Sequence, residues 1–121
     1  MVILGSGWAA AALLKKLEGE SYDVTVISPT NYFLFTPLLP SAITGTVESR
    51  SLMESVRKIC LSTKANYIEG KADDVNLKDK ILRVVSNEGD SFEVPYSKLV
   101  IAVGAENNTF GIRGVKGMEC I

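Results

Sequence analysis

The sequence predicts an α/β fold in which a parallel sheet carries an inserted antiparallel β-meander, on three observations. Two apolar runs, Val2-Ile3-Leu4 and Leu99 to Val103, each end on a glycine, as buried parallel strands do. A helix-forming stretch and a β-branched run, Val24 to Ile27, follow the first of them closely enough to make a βαβ unit. From Asn66 onward the pattern changes to short strand-like segments joined by turn residues.

Each element has its own warrant. Val2–Leu4 stops at Gly5. Ala9 to Leu17 is rich in Ala and Leu, the strongest helix formers. Leu13, Leu14 and Leu17 share one face of that helix, and Lys15 and Lys16 take the other. Gly19 is the stop signal beyond its last turn, and Pro29 ends the second strand. Pro29 to Pro40 reads as an ordered loop, because Thr36-Pro37-Leu38-Leu39-Pro40 is expected to continue neither as strand nor as helix. Ser51-Leu52-Met53-Glu54 fits a capping box, with Ser51 as N-cap. Leu52, Val56 and Ile59 then mark a helix face running to about Cys60. Tyr67-Ile68-Glu69-Gly70 opens the next strand. Ile81 to Val85 and Phe92 to Val94 form a pair across Asn87-Glu88-Gly89-Asp90. No repeat or linker interrupts the chain, so residues 1–121 read as one domain.

Composition narrows the function. The formal net charge is -1 and no basic block appears, which argues against nucleic acid as a partner. The longest apolar stretches are broken by Lys, Pro or Gly, so none reads as a membrane span. No signal or transit segment is visible, since strand-like residues begin directly after Met1. The chain has no histidine, and its two cysteines, Cys60 and Cys120, are far apart. They read as unpaired thiols, and a zinc or His-based catalytic site is disfavoured; no metal site is expected. Asp73 and Asp74 are adjacent strand residues, expected on opposite faces and so not an acid–base pair. Lys15, Lys16, Arg57 and Lys58 read as solvated helix faces. Arg113 and Lys116 read as a solvated loop.

One motif carries chemistry. Gly5-x-Gly7-x-x-Ala10 lies between the first strand and the first helix. In a dinucleotide site at this spacing, the first glycine permits the tight turn and the second lets a pyrophosphate reach the backbone. The small third residue lets helix and sheet pack closely. The phosphates then meet free N–H groups at the helix N-terminus. The whole is a Rossmann-like FAD/NAD(P)-binding fold. The generic fingerprint also ends the second strand with an acid that bonds a ribose hydroxyl. Ser28-Pro29-Thr30 stands there instead, and Ser28 offers a weaker partner.

Three segments together resemble the type II (alternative, non-proton-pumping) NADH dehydrogenases. They are Val2-Ile3-Leu4-Gly5-Ser6-Gly7-Trp8, Asn31-Tyr32-Phe33-Leu34-Phe35-Thr36-Pro37-Leu38-Leu39-Pro40-Ser41, and Ala102-Val103-Gly104-Ala105 with Asn108-Thr109-Phe110-Gly111-Ile112. The resemblance implies an FAD enzyme that takes a hydride from NADH and passes electrons to quinone. The chain would be the N-terminal portion of its FAD-binding domain, with no catalytic acid or base of its own. Gly5, Ser6, Gly7 and Trp8 would cradle the pyrophosphate, with Ala10 behind them. Ser28 and Pro29 would lie by the adenosine ribose, and Ala72 would meet adenine through its backbone. Thr36, Pro37 and Leu38 would lie near the isoalloxazine ring and the quinone pocket. Ala102, Gly104 and Ala105 would form the turn that returns past the flavin.

The resemblance also implies peripheral association with the mitochondrial inner membrane through a region beyond Ile121, and it admits a homodimer. The NADH-binding fold and the later Gly-Asp segment would lie beyond Ile121 too, so a partial FAD site is expected here. Ala9, Thr30 and Arg113 depart from the family pattern, which favours Gly, Arg and Pro there. Two rival readings are a non-catalytic remnant and a simple NAD(P)-binding domain of a flavin-free dehydrogenase. The missing acid at Ser28 and the Pro-Leu-Leu-Pro segment count against the latter. The disulfide reductases of the superfamily place a C-x-x-x-x-C after the second strand, and this chain has no such pair.

Overall fold

The structure is a computed structural model that describes residues 1–17, 21–105, 108 and 110–112. Gly19, Thr109, Arg113, Lys116 and Cys120 lie outside the described residues. Strands β1 (Val2–Leu4), β2 (Thr25–Ser28), β5 (Asn66–Asn76), β6 (Ile81–Ser86), β7 (Ser91–Pro95) and β8 (Leu99–Ile101) make one sheet, in the order β7-β6-β5-β2-β1-β8. Strands β3 (Tyr32–Leu34) and β4 (Met53–Ser55) pair separately and antiparallel. The helices are α1 (Trp8–Leu17), α2 (Leu39–Ile43) and α3 (Val56–Ser62).

The sheet divides where its chemistry divides. β1 pairs parallel with β2 and β8, and β2 pairs parallel with the first part of β5. From Gly70 onward β5 leaves β2 and pairs antiparallel with β6, which pairs antiparallel with β7. One strand thus serves both the parallel sheet and the expected meander. The β6–β7 turn falls at Asn87–Asp90, as its residues predict, with Ser86 N donating to Asp90 O at 2.8 Å.

Burial on both faces explains the continuous apolar runs. Ile3, Val24 and Val26 pack with Ala10 and Leu14 of α1 and with Val56 and Cys60 of α3. Val2, Leu4 and Ile27 point to the other face and pack against Leu82 and Val84 of β6. Fully burying each such side chain contributes roughly 1.5–3 kcal/mol, so β1 and β2 are the best-anchored strands.

Four expectations need correction. The capping box at Ser51–Glu54 does not form. Ser49–Leu52 is a 3-10 turn, Met53–Ser55 pairs with Tyr32–Leu34, and the helix starts at Val56. Glu54 reaches forward to Lys58 (3.4 Å) instead of back. The loop from Pro29 to Pro40 contains β3, a 3-10 turn at Thr36–Leu38 and the start of α2. Pro37 and Pro40 sit in first turns, where the missing N–H costs nothing. The apolar run from Leu99 supplies a strand only to Ile101, and among the described residues it is a partly exposed sheet edge, not a buried strand. Asp73 lies at a β-bulge between Ala72 and Asp74. Alternation therefore fails there, yet both carboxylates are exposed. No helix among the described residues is long and apolar enough to cross a membrane.

Candidate cofactor-binding cleft

The carboxyl ends of β1, β2 and β8 open on a cleft of about 1070 Å³. This is where an open parallel sheet places its ligand, and the size suits an extended one. Eleven of the fourteen sequence-selected residues line it: Gly5, Ser6, Gly7 and Trp8; Ser28 and Pro29; Thr36; Ala72; Ala102, Gly104 and Ala105. Ala10 does not. It is buried beneath α1 in the core, as a close-packing residue should be. Pro37 and Leu38 also lie outside the lining, exposed on their 3-10 turn.

Two glycines build the turn for different reasons. Gly5 has φ +99°, and a Cβ there would stand 2.3 Å from Ala102 O. Ala102 N in turn donates to Leu4 O at 2.8 Å. The first glycine is therefore demanded by the protein itself, where the β1 and β8 turns touch. A Cβ on Gly7 would meet nothing within 4 Å. No protein atom demands that glycine; it leaves open the space over the N-terminus of α1. Gly7 O accepts from Ala11 N at 3.0 Å, which places Gly7 at the helix cap. The free N–H groups of the first turn and the helix dipole favour an anion in that space.

The floor at the end of β2 is cross-linked. Ser6 Oγ and Ser28 Oγ are 2.9 Å apart, Ser6 Oγ donates to Thr30 O at 3.3 Å, and Thr30 N donates to Ser28 Oγ at 3.2 Å. Ser28 is 3% exposed, so its hydroxyl serves the turn before any ligand. The opposite wall is aromatic. Trp8 meets the ring of Phe33 edge-on at 5.0 Å, leans on Phe35 at 5.3 Å, and donates from Nε1 to Thr36 Oγ1 at 3.3 Å.

Thr30, noted in the sequence only as a departure, also lines the cleft, and sequence reading missed Gly70, Lys71 and Val103 there. Gly70 carried a signal, being a glycine within a strand pattern; a Cβ there would press on Val85 O at 2.8 Å. Lys71 carried none. It bears the only formal charge among the lining residues and has no ion pair among the described residues. The charges on α3 do more than face solvent, since Arg57 pairs with Glu69 at 3.5 Å.

The sequence pattern of the pyridine nucleotide-disulphide oxidoreductases matches residues 1–120. The chain belongs to that family. Its resemblance to the alternative NADH dehydrogenases is borne out. It is 44% identical to the external alternative NADH-ubiquinone oxidoreductase of Yarrowia lipolytica mitochondria, over 99% of this chain and 22% of that protein. It is 49% identical to external NADH-ubiquinone oxidoreductase 2 of Saccharomyces cerevisiae mitochondria, over 97% of this chain and 22% of that protein. The solved structure of NDH2 from Plasmodium falciparum in complex with NADH superposes with a TM-score of 0.83 at 41% identity. The match covers 95% of this chain and 24% of that one. The chain thus spans under a quarter of the length of these relatives. Among the described residues there is one cysteine, so no redox pair is formed by them. Cys60 is buried and unpaired in the core, and burial pushes its thiol pKa up, which makes it a poor nucleophile.

Proposed function

We propose that this chain is the FAD-binding N-terminal portion of an NADH:quinone oxidoreductase. The observation that carries the reading is the open space at Gly7, over the N-terminus of α1, in a cleft whose lone formal charge is Lys71. An anion with an extended organic body fits there. Gly5, Ser6, Gly7 and Trp8 hold the pyrophosphate through backbone N–H groups. Ser28, Pro29 and Ala72 border the adenosine end. Ala102, Gly104 and Ala105 close the turn beside the flavin. FAD, when bound, supplies the redox chemistry, with hydride in from NADH and electrons out to quinone. The chain's own work is to bind, orient and keep water away, and the reading needs no side chain here as acid or base.

Thr36 stands at the flavin end, held by Trp8, and Pro37 and Leu38 carry that wall outward toward the quinone side. The names of the relatives support a mitochondrial place, with NADH and ubiquinone as substrates; a peripheral seat on the inner membrane is part of the same proposal. Membrane contact falls to a later region of the complete enzyme, and the reading admits a homodimer.

The test is a titration of the purified chain with FAD, followed by the quenching of Trp8, its lone tryptophan, with ADP as competitor. Saturable quenching that ADP reverses supports the reading. If neither FAD nor ADP binds, the assignment of this cleft to FAD is overturned. A preference for NAD over FAD would instead favour a flavin-free dehydrogenase domain.

A further inference from the structure

The end of β2 is gripped from outside the cleft by residues that no phosphate motif includes. Tyr67, on β5, projects along the α3 face of the sheet. Its hydroxyl lies 3.1 Å from Ser28 O and 3.2 Å from Thr30 O, so one proton is shared between two carbonyls of the turn. Asn87, in the β6–β7 turn, donates from Nδ2 to Pro29 O at 3.3 Å and to Glu69 Oε1 at 2.9 Å. Glu69 also receives Arg57 at 3.5 Å, and the Arg57 guanidinium lies over the Tyr67 ring, 5.8 Å from its centre. Three successive carbonyls, at positions 28, 29 and 30, are thus each held by a donor from another element.

The carbonyls of Ser28 and Pro29 are engaged from outside the cleft and that of Thr30 by both Tyr67 and Ser6, which restrains the peptide planes between them. That matters because this turn lacks the acid that ordinarily meets the ribose. What it offers a ligand is shape: the Pro29 ring and the Thr30 side chain, set at a fixed angle. We propose that Tyr67 and Asn87 are positioning residues that hold the Ser28–Thr30 turn in the shape that receives the adenosine end of the cofactor. The proposal rests on the FAD reading above. The meander then has a role in binding, because its turn reaches back to brace the parallel sheet. Burial and the neighbouring Glu69 keep the Tyr67 phenol protonated, against the opposing pull of Arg57, so it remains a donor.

The experiment compares wild type, Tyr67→Phe and Asn87→Ala for binding of FAD, ADP and FMN, alongside thermal unfolding and amide exchange at Thr30. Tyr67→Phe keeps the ring under Arg57 and removes only the hydroxyl. FAD and ADP affinity should each fall about fivefold through lost pre-organisation of the turn. FMN, which lacks adenosine, should behave alike in wild type and variants, and Tm should fall by only a few degrees, roughly the effect of one lost intramolecular hydrogen bond. Thr30 exchange should quicken in the free protein. A smaller fall of the same kind is expected for Asn87→Ala. Unchanged FAD and ADP affinity in both variants overturns the proposal while leaving the FAD reading intact. An equal loss for FAD and FMN overturns it too, since that is general loosening. A wild type that binds neither FAD nor ADP overturns both.

Discussion

The two walls of the cleft are built on opposite plans. Among its described residues, the wall from Val2 to Ser28 contains nine buried ones and backs onto core on both faces of the sheet. The wall from Tyr32 to Ser55 has one buried residue, Leu52. It is held by a three-residue strand pair, by Phe35 N donating to Leu52 O at 2.8 Å, and by the aromatic contacts of Trp8. A phosphate site needs backbone N–H groups that do not move, and the first wall supplies them from the most stable part of the molecule. A wall against a flat ring, as the FAD proposal requires, needs apolar surface more than rigidity, and the second supplies Tyr32, Phe33 and Leu34. Local stability in a protein varies in this way with buried contact.

The comparison breaks most readily at Gly5. Gly5→Val forces a side chain into φ +99° and against Ala102 O. It should cost about 4 kcal/mol or more, read as a collapsed denaturation midpoint; a stable variant would mean that the turns do not touch as described. Next comes a matched pair. Ile3→Ala, at a site with 0% exposure, should cost roughly 2–5 kcal/mol. Phe35→Ala in the other wall, 39% exposed, should cost about 1 kcal/mol. Equal losses in urea denaturation would remove the contrast between the walls.

Gly7→Ser separates binding from stability. Serine caps a helix at least as well as glycine, and its Cβ enters open space. Stability should hold while FAD affinity falls about tenfold, or roughly 1.4 kcal/mol. Retained affinity would move the pyrophosphate elsewhere.

The smallest effect is alkaline. Burial raises the Cys60 pKa above the ordinary 9.0. The stability linked to its proton is therefore whole below pH 9, and is lost as pH climbs through the higher folded value. Tyr67, raised from 10.0, adds a loss of the same sign at higher pH. The denaturation midpoint should decline from about pH 9 upward, and Cys60→Ala should flatten part of that slope. A slope untouched by the variant would assign the loss to other groups.

The first wall was legible because its signals are local. Val2–Leu4, Gly5-x-Gly7 and the Ala-Leu helix each state their conformation within a few residues, and the structure follows them. The meander was legible for the same reason, through Asn87–Asp90. The second wall was not. Ser51–Glu54 satisfies the rule for a helix start, yet Met53–Ser55 is claimed by β3, some twenty residues earlier in sequence. A pairing at that distance outweighs a side-chain cap worth about 1 kcal/mol.

The sequence alone determined the α/β class, the glycine turn after the first strand and the family resemblance, because glycine geometry, helix propensity and apolar periodicity act between near neighbours. Only the tertiary structure decided that β5 changes partners at Gly70, that Lys71 lines the cleft, and that Tyr67 and Asn87 bond the carbonyls of the Ser28–Thr30 turn. Those facts depend on which strands lie side by side. Register between distant segments is set by the packing of the whole core, which no local stretch encodes.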